Sequence, residues 1–166
     1  HAGVQDQNYP SLYVLPSSHS YSSSKITGEH IKNIIDIIDH SFDYILIDCP
    51  AGVENGFHRA VYPANEALIV VTPHLSSIRD ADKVVGLLSE YNIERKGLII
   101  NRMRGDLLLS GEMMNIESIV KAMGIPLLGV IPEDDAVSKM SSDGRIMLDC
   151  ESARAFTLLA ENIHDG

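Results

Sequence analysis

Four isoleucines after Thr27, namely Ile31, Ile34, Ile35 and Ile38, recur at i, i+3, i+4 and i+7. That spacing gathers them on one face of a helix. Thr27 stands where an N-cap hydroxyl would accept an orphaned backbone N–H, so the helix is expected to start there. A second stripe, Ile78, Ala81, Val84, Val85 and Leu88, predicts an amphipathic helix from about Ser76 to Tyr91, with Gly97 punctuating its exit. A third helix is expected from Ile116 to Met123, leading through Gly124 and Pro126 into the next strand, and a last one from Ser152 to Asn162.

Before and between these stripes lie short apolar runs: Leu12 to Leu15 closed by Pro16, Tyr44 to Ile47, Ala67 to Val71, Leu98 to Ile100, and Leu127 to Ile131. Tyr44 to Ile47, Ala67 to Val71 and Leu98 to Ile100 are each too short for a buried helix, and their continuous apolarity fits strands covered on both faces. Strands alternating with amphipathic helices imply βαβ units, hence an α/β fold with a mostly parallel sheet and helices on both sides. Residues His1 to Pro10 are polar and without a period, which predicts a loop. In Ser17 to Ser24, six of eight residues are serine, a solvated connection by composition. The chain shows no internal repeat, and its 166 residues, 45% of them apolar, suit one domain over 1–166.

Composition narrows the function. A formal net charge of −10 repels nucleic acid at long range and disfavours direct DNA binding. No apolar run approaches the roughly 20 residues of a membrane span, and no export signal opens the chain, so a cytoplasmic protein is expected. Cys49 and Cys150 lack CxxC spacing and are expected to be reduced thiols. The seven histidines form no metal-binding pattern, and no structural metal is expected.

In an open parallel sheet, ligands sit beyond the carboxyl ends of the strands. Asp48 ends the run Tyr44 to Ile47 and is followed by Cys49, Pro50, Ala51 and Gly52. A carboxylate there suits a magnesium-bound water beside phosphates, and Gly52 suits close backbone approach to a γ-phosphate. By spacing alone, an Asp that ends a strand and caps the next turn fits equally well. Asn101 and Arg102 follow the run Leu98 to Ile100; an amide that both donates and accepts, beside a guanidinium that stacks, suits a purine, as it also suits the start of a solvated loop. Pro132, Glu133 and Asp134 follow the last strand, where a rigid turn offers backbone groups to a base or simply starts a helix.

Four blocks give a more specific indication: Phe42 to Glu54 (FDYILIDCPAGVE), Ser77 to Asp82 (SIRDAD), Leu98 to Arg102 (LIINR) and Leu128 to Asp134 (LGVIPED). In order and spacing they resemble blocks of the MinD family, and the similarity runs from about Leu12 to the end. The resemblance implies a three-layer fold like that of P-loop NTPases and an ATPase that dimerises around ATP and magnesium. It further implies protein partners of the MinC and MinE kind at the division septum. Asp48 then matches the magnesium-linked catalytic carboxylate and Gly52 belongs to the γ-phosphate switch. Asn101, Arg102, Pro132, Glu133 and Asp134 match adenine-side contacts. Arg79, Asp80 and Asp82 open a helix near the family's dimer and partner surface, though a plain solvated face also accounts for them.

The sequence departs from the family in three places. No glycine-rich loop with GK[ST] occurs: before residue 52 the only glycines are Gly3 and Gly28. The phosphate-cradling strand and helix are therefore expected to be missing, leaving a partial domain, inactive alone, that associates with itself. The segment Ala160 to Gly166 lacks the basic amphipathic face of a membrane-targeting helix. Cys49 stands where the family commonly has Ser. Other readings of the same residues are a nucleotide-free interaction module and a flagellar-number regulator of the same ATPase class.

Overall fold

The computed structural model describes residues 3–16, 26–137, 139 and 150–166; the serine tract 17–24 lies outside them. The chain divides into two compact units, His1–Pro63 and Ala64–Gly166.

In the first unit, β1 (Val4–Gln5) pairs antiparallel with β2 (Tyr13–Val14). The Asp6 carboxylate accepts the N–H groups of Asn8 and Tyr9 at 2.8 and 2.9 Å, fixing the turn between them. The expected loop over His1 to Pro10 thus contains a strand, since two residues are too few to show a period. Helix α1 (Gly28–Ile38) starts at the predicted cap. Thr27 Oγ1 accepts the His30 N–H at 3.3 Å, and His30 Nδ1 accepts the Thr27 N–H at 3.1 Å. The pair is a capping box with an imidazole in place of the usual carboxylate or amide. Gly28 at the first position admits the Tyr62 side chain, whose own Cβ an added Cβ would meet at 2.5 Å. None of the stripe of α1 is fully buried, and Ile37 is 77% exposed.

Helix α2 (Asn55–Val61) buries Phe57, Ala60 and Val61. The segment Tyr44 to Ile47, expected as a strand, joins neither sheet. Apolar sequence makes a strand possible, but only a neighbour's N–H and C=O groups complete one.

The second unit is built on β3 (Glu66–Val71), β4 (Arg95–Met103) and β5 (Leu127–Pro132), all parallel in the order β3-β4-β5. Helix α3 (Leu75–Glu90) connects the first two strands. Helices α4 (Gly105–Ser110) and α5 (Ile116–Met123) lie between the next two, and α6 (Glu151–Asp165) closes the chain. α3 buries Ile78, Ala81 and Leu88 of its predicted stripe, and the Ser77 hydroxyl accepts the Thr72 N–H at 3.0 Å at its start. α5 is capped by Asn115, whose side chain accepts the Ser118 N–H at 2.8 Å, and ends at Gly124 with φ 63°.

As the middle strand, β4 is buried from Gly97 through Ile100. On one face Ile99 packs with Ile131 and Leu159 of α6. By alternation Leu98 and Ile100, both at 0% exposure, point to the other face, and each contributes about 1.5–3 kcal/mol of burial. Gly97 is required by close packing, because a Cβ there would overlap the Leu128 side chain of the next strand. Helices therefore cover both faces of a parallel sheet, as the alternation of stripes and runs predicts.

Candidate functional site at the carboxyl ends of the strands

β4 does not stop at Ile100. Its register with β5 shifts between Ile100, which faces Val130, and Met103, which faces Pro132. Asn101 and Arg102 occupy the irregularity, a bulge at the carboxyl end of the strand. Arg102 has φ 59°, in the left-handed region that a side chain makes costly. The Asn101 Oδ1 accepts the Arg102 N–H at 2.9 Å and so supports that conformation. The expected strand end is thus a strained corner inside the strand, and the strain presents the Arg102 side chain outward.

The turn after β5 meets this corner. The Glu133 N–H donates to the Met103 carbonyl at 2.9 Å, and Arg102 Nε lies 3.5 Å from Glu133 Oε1. Asp134 accepts the N–H of Ala136 at 2.8 Å and of Ser152 at 3.3 Å. These backbone donors, that of Ala136 first and that of Ser152 next, hold its carboxyl below the usual carboxylate range. Pro132 gives its carbonyl to the Ser152 hydroxyl at 3.3 Å. All five residues named for the base side are therefore adjacent; Arg102 and Glu133 are exposed, and Asn101 is half-buried beside them. That set can stack on a planar ring and exchange hydrogen bonds with its edge.

Asp48 and Gly52 belong to the first unit. Asp48 is exposed, and Gly52 has φ 90° with open space where a Cβ would stand. The positive φ at Gly52 matches the need for a residue without a side chain, and the following Pro50–Gly56 approach, where a Cβ on Gly56 would meet Pro50 Cγ at 2.5 Å, folds the segment onto the start of α2. Partial burial of the thiol, and after it the Asp48 carboxylate, push Cys49 above the ordinary thiol range. On α3, Asp80 pairs with Lys83 at 3.1 Å on an exposed face, with Arg79 and Asp82 exposed beside them. Among the described residues no cluster of three His, Cys, Asp or Glu side chains is arranged to hold a metal ion, and no helix is long and apolar enough to cross a membrane.

Sequence patterns mark Ser152 only as the expected start of the last helix and give no sign of its burial, which is complete. Nothing but its place one residue into α6 marks it, and its partners lie 18 and 20 residues away.

Residues 5–147 match the CobQ/CobB/MinD/ParA nucleotide binding domain. The septum site-determining protein MinD of Helicobacter pylori is 40% identical over 169 aligned positions, covering 96% of this chain and 63% of the relative. Among solved structures, the MinC:MinD cell division protein complex of Aquifex aeolicus superposes with TM-score 0.88 at 34% identity, over 99% of this chain and 67% of that one. The Pyrococcus horikoshii MinD complexed with Mg-ADP gives TM-score 0.85 at 29% identity, over 98% and 67%. The chain spans between 43% and 63% of the length of the curated relatives it matches.

Proposed function

The chain belongs to the MinD group of the CobQ/CobB/MinD/ParA nucleotide-binding family, and from that premise we propose that it works in a cell-division ATPase as the part that reads the nucleotide base and answers to the γ-phosphate. In this reading both units belong to one nucleotide-binding domain, which the family match across residues 5–147 supports. Arg102, Asn101 and the Pro132–Asp134 turn form the wall against adenine. Asp48 holds a magnesium-bound water, and the Gly52 segment follows the γ-phosphate. The 166 residues contain no GK[ST] run, so the phosphate cradle is not assigned to any of them. A second ATP-bound copy and a MinC-type protein are the partners this reading implies, the latter because a solved MinD relative is seen in a MinC:MinD complex.

The observation that carries the reading is the strained corner at Arg102, held beside Glu133 where a parallel sheet binds ligands. The test is an amide-resolved NMR titration of the chain with adenosine monophosphate and, separately, guanosine monophosphate. Adenosine monophosphate should move the Asn101, Arg102 and Glu133 resonances at millimolar concentration, and the guanine nucleotide should not. Unmoved resonances at these residues, or equal responses to both bases, would overturn it.

A further inference from the structure

Among the described residues the fully buried set contains one polar side chain, Ser152, at 0% exposure. A buried hydroxyl is costly unless it is hydrogen-bonded, and Ser152 meets that requirement at the turn following β5. Its Oγ donates to the Pro132 carbonyl at 3.3 Å, while its N–H, one of the orphaned donors of the first helical turn, donates to Asp134 Oδ2 at 3.3 Å. The N-cap position of α6, Cys150, makes no side-chain cap bond. Asp134, 18 residues earlier in the chain, supplies the capping oxygen instead, and its charge also suits the positive end of the helix.

The same turn is fixed from its other side. The Glu133 N–H is bound to the Met103 carbonyl at 2.9 Å, and the Glu133 carboxylate faces Arg102 Nε at 3.5 Å. Each residue of the turn is therefore tied: Pro132 through its carbonyl to α6, Glu133 through its N–H to β4, and Asp134 through its carboxylate to Ala136 and α6. Behind the turn, Ile99, Ile131 and Leu159 pack α6 against the same two strands. A displacement of the first turn of α6 must pull on Pro132 and Asp134, and through them on the Glu133 that stands beside Arg102.

We infer that Ser152 and Asp134 are positioning residues for the base-side wall, latching the start of α6 to the 132–134 turn so that Glu133 stays in register with the Arg102 corner. The inference rests on the base-side reading above, and it assigns the 132–134 turn a second role besides lining the site. Asp134 in this account faces the helix and acts on the ligand through Glu133.

Amide hydrogen exchange on the whole chain tests the latch without any ligand. In Ser152→Ala the half-buried Pro132 carbonyl loses its donor, and exchange at the Glu133 N–H should accelerate about tenfold. The Ile100 N–H in the middle of the sheet should keep its wild-type rate. Faster exchange confined to the first turn of α6, with Glu133 unchanged, would overturn the inference, because Ser152 would then hold only its own helix. If Ser152→Ala fails to fold, Asp134→Asn, which keeps an acceptor oxygen but loses the charge, reads the same amide with the same two outcomes. Affinity for adenosine monophosphate, measured alongside, should fall by a similar factor in the variant. Accelerated Glu133 exchange in a chain whose wild type ignores adenosine monophosphate would confirm the coupling and overturn the assignment of the wall, so the two failures are distinguishable.

Discussion

The left-handed Arg102 provides a quantitative check on whether the corner of β4 is held for its side chain. A residue with a Cβ at φ 59° stores about 1–2 kcal/mol relative to glycine, while glycine raises the entropy of the unfolded chain by about 0.5–1 kcal/mol. Arg102→Gly should therefore be more stable than Arg102→Ala by roughly 0.5–1 kcal/mol, since both lose the same exposed contact to Glu133. With a urea slope of about 2 kcal/mol per molar, the glycine variant should unfold at a midpoint about 0.25–0.5 M higher. Equilibrium urea unfolding followed by circular dichroism measures this directly. Both variants should also lose the adenosine-induced shifts at Asn101 and Glu133, because neither has a guanidinium. An alanine variant as stable as the glycine variant would refute the strain, and with it the argument that the backbone is bent to present Arg102.

Three further predictions follow from local geometry. Thr27→Ala removes the cap of α1 and should cost about 1 kcal/mol, read as a lower urea midpoint for the loss of helical signal. Asp134 has a depressed carboxyl in the folded chain, so its contribution is present above the ordinary aspartate pKa of about 3.9 and is lost as pH falls through the lower folded value. Wild type should accordingly be more stable than Asp134→Asn at pH 6, with the gap in urea midpoints closing toward pH 2; a gap that persists there would contradict the assignment. Cys49, held above the ordinary thiol range, has a smaller thiolate fraction than free cysteine and should alkylate more slowly at neutral pH. Asp48→Asn should speed the reaction by removing one cause of the shift, and a wild-type rate equal to that of free cysteine would contradict it.

Where an element was long enough to repeat its pattern, the sequence revealed it. The stripe of α3 and the apolar positions from Ile116 to Met123 with Gly124 after them placed α3 and α5 to within a residue, and Thr27 marked the start of α1. The helices α2 and α4, seven and six residues long, and the two-residue β1 were missed because none spans enough turns or alternations to define a period. The candidate site was legible as residues that follow strands. Its form was not, since the bulge that turns Arg102 outward depends on which residues of β5 stand opposite.

By itself the sequence determined the amphipathic faces, the Thr27 cap, the alternation of strand and helix, and membership of the MinD family, because each is written in spacings of a few residues or in the order of short blocks. Tertiary structure alone decided that β4 runs on through a strained corner to Met103 and that Asp134 caps a helix 18 residues away. It also decided that Tyr44 to Ile47, apolar enough for a strand, joins neither sheet. Those outcomes turn on hydrogen-bond partners distant in the chain, and a backbone group's partner is fixed only when the strands and helices that carry it have packed.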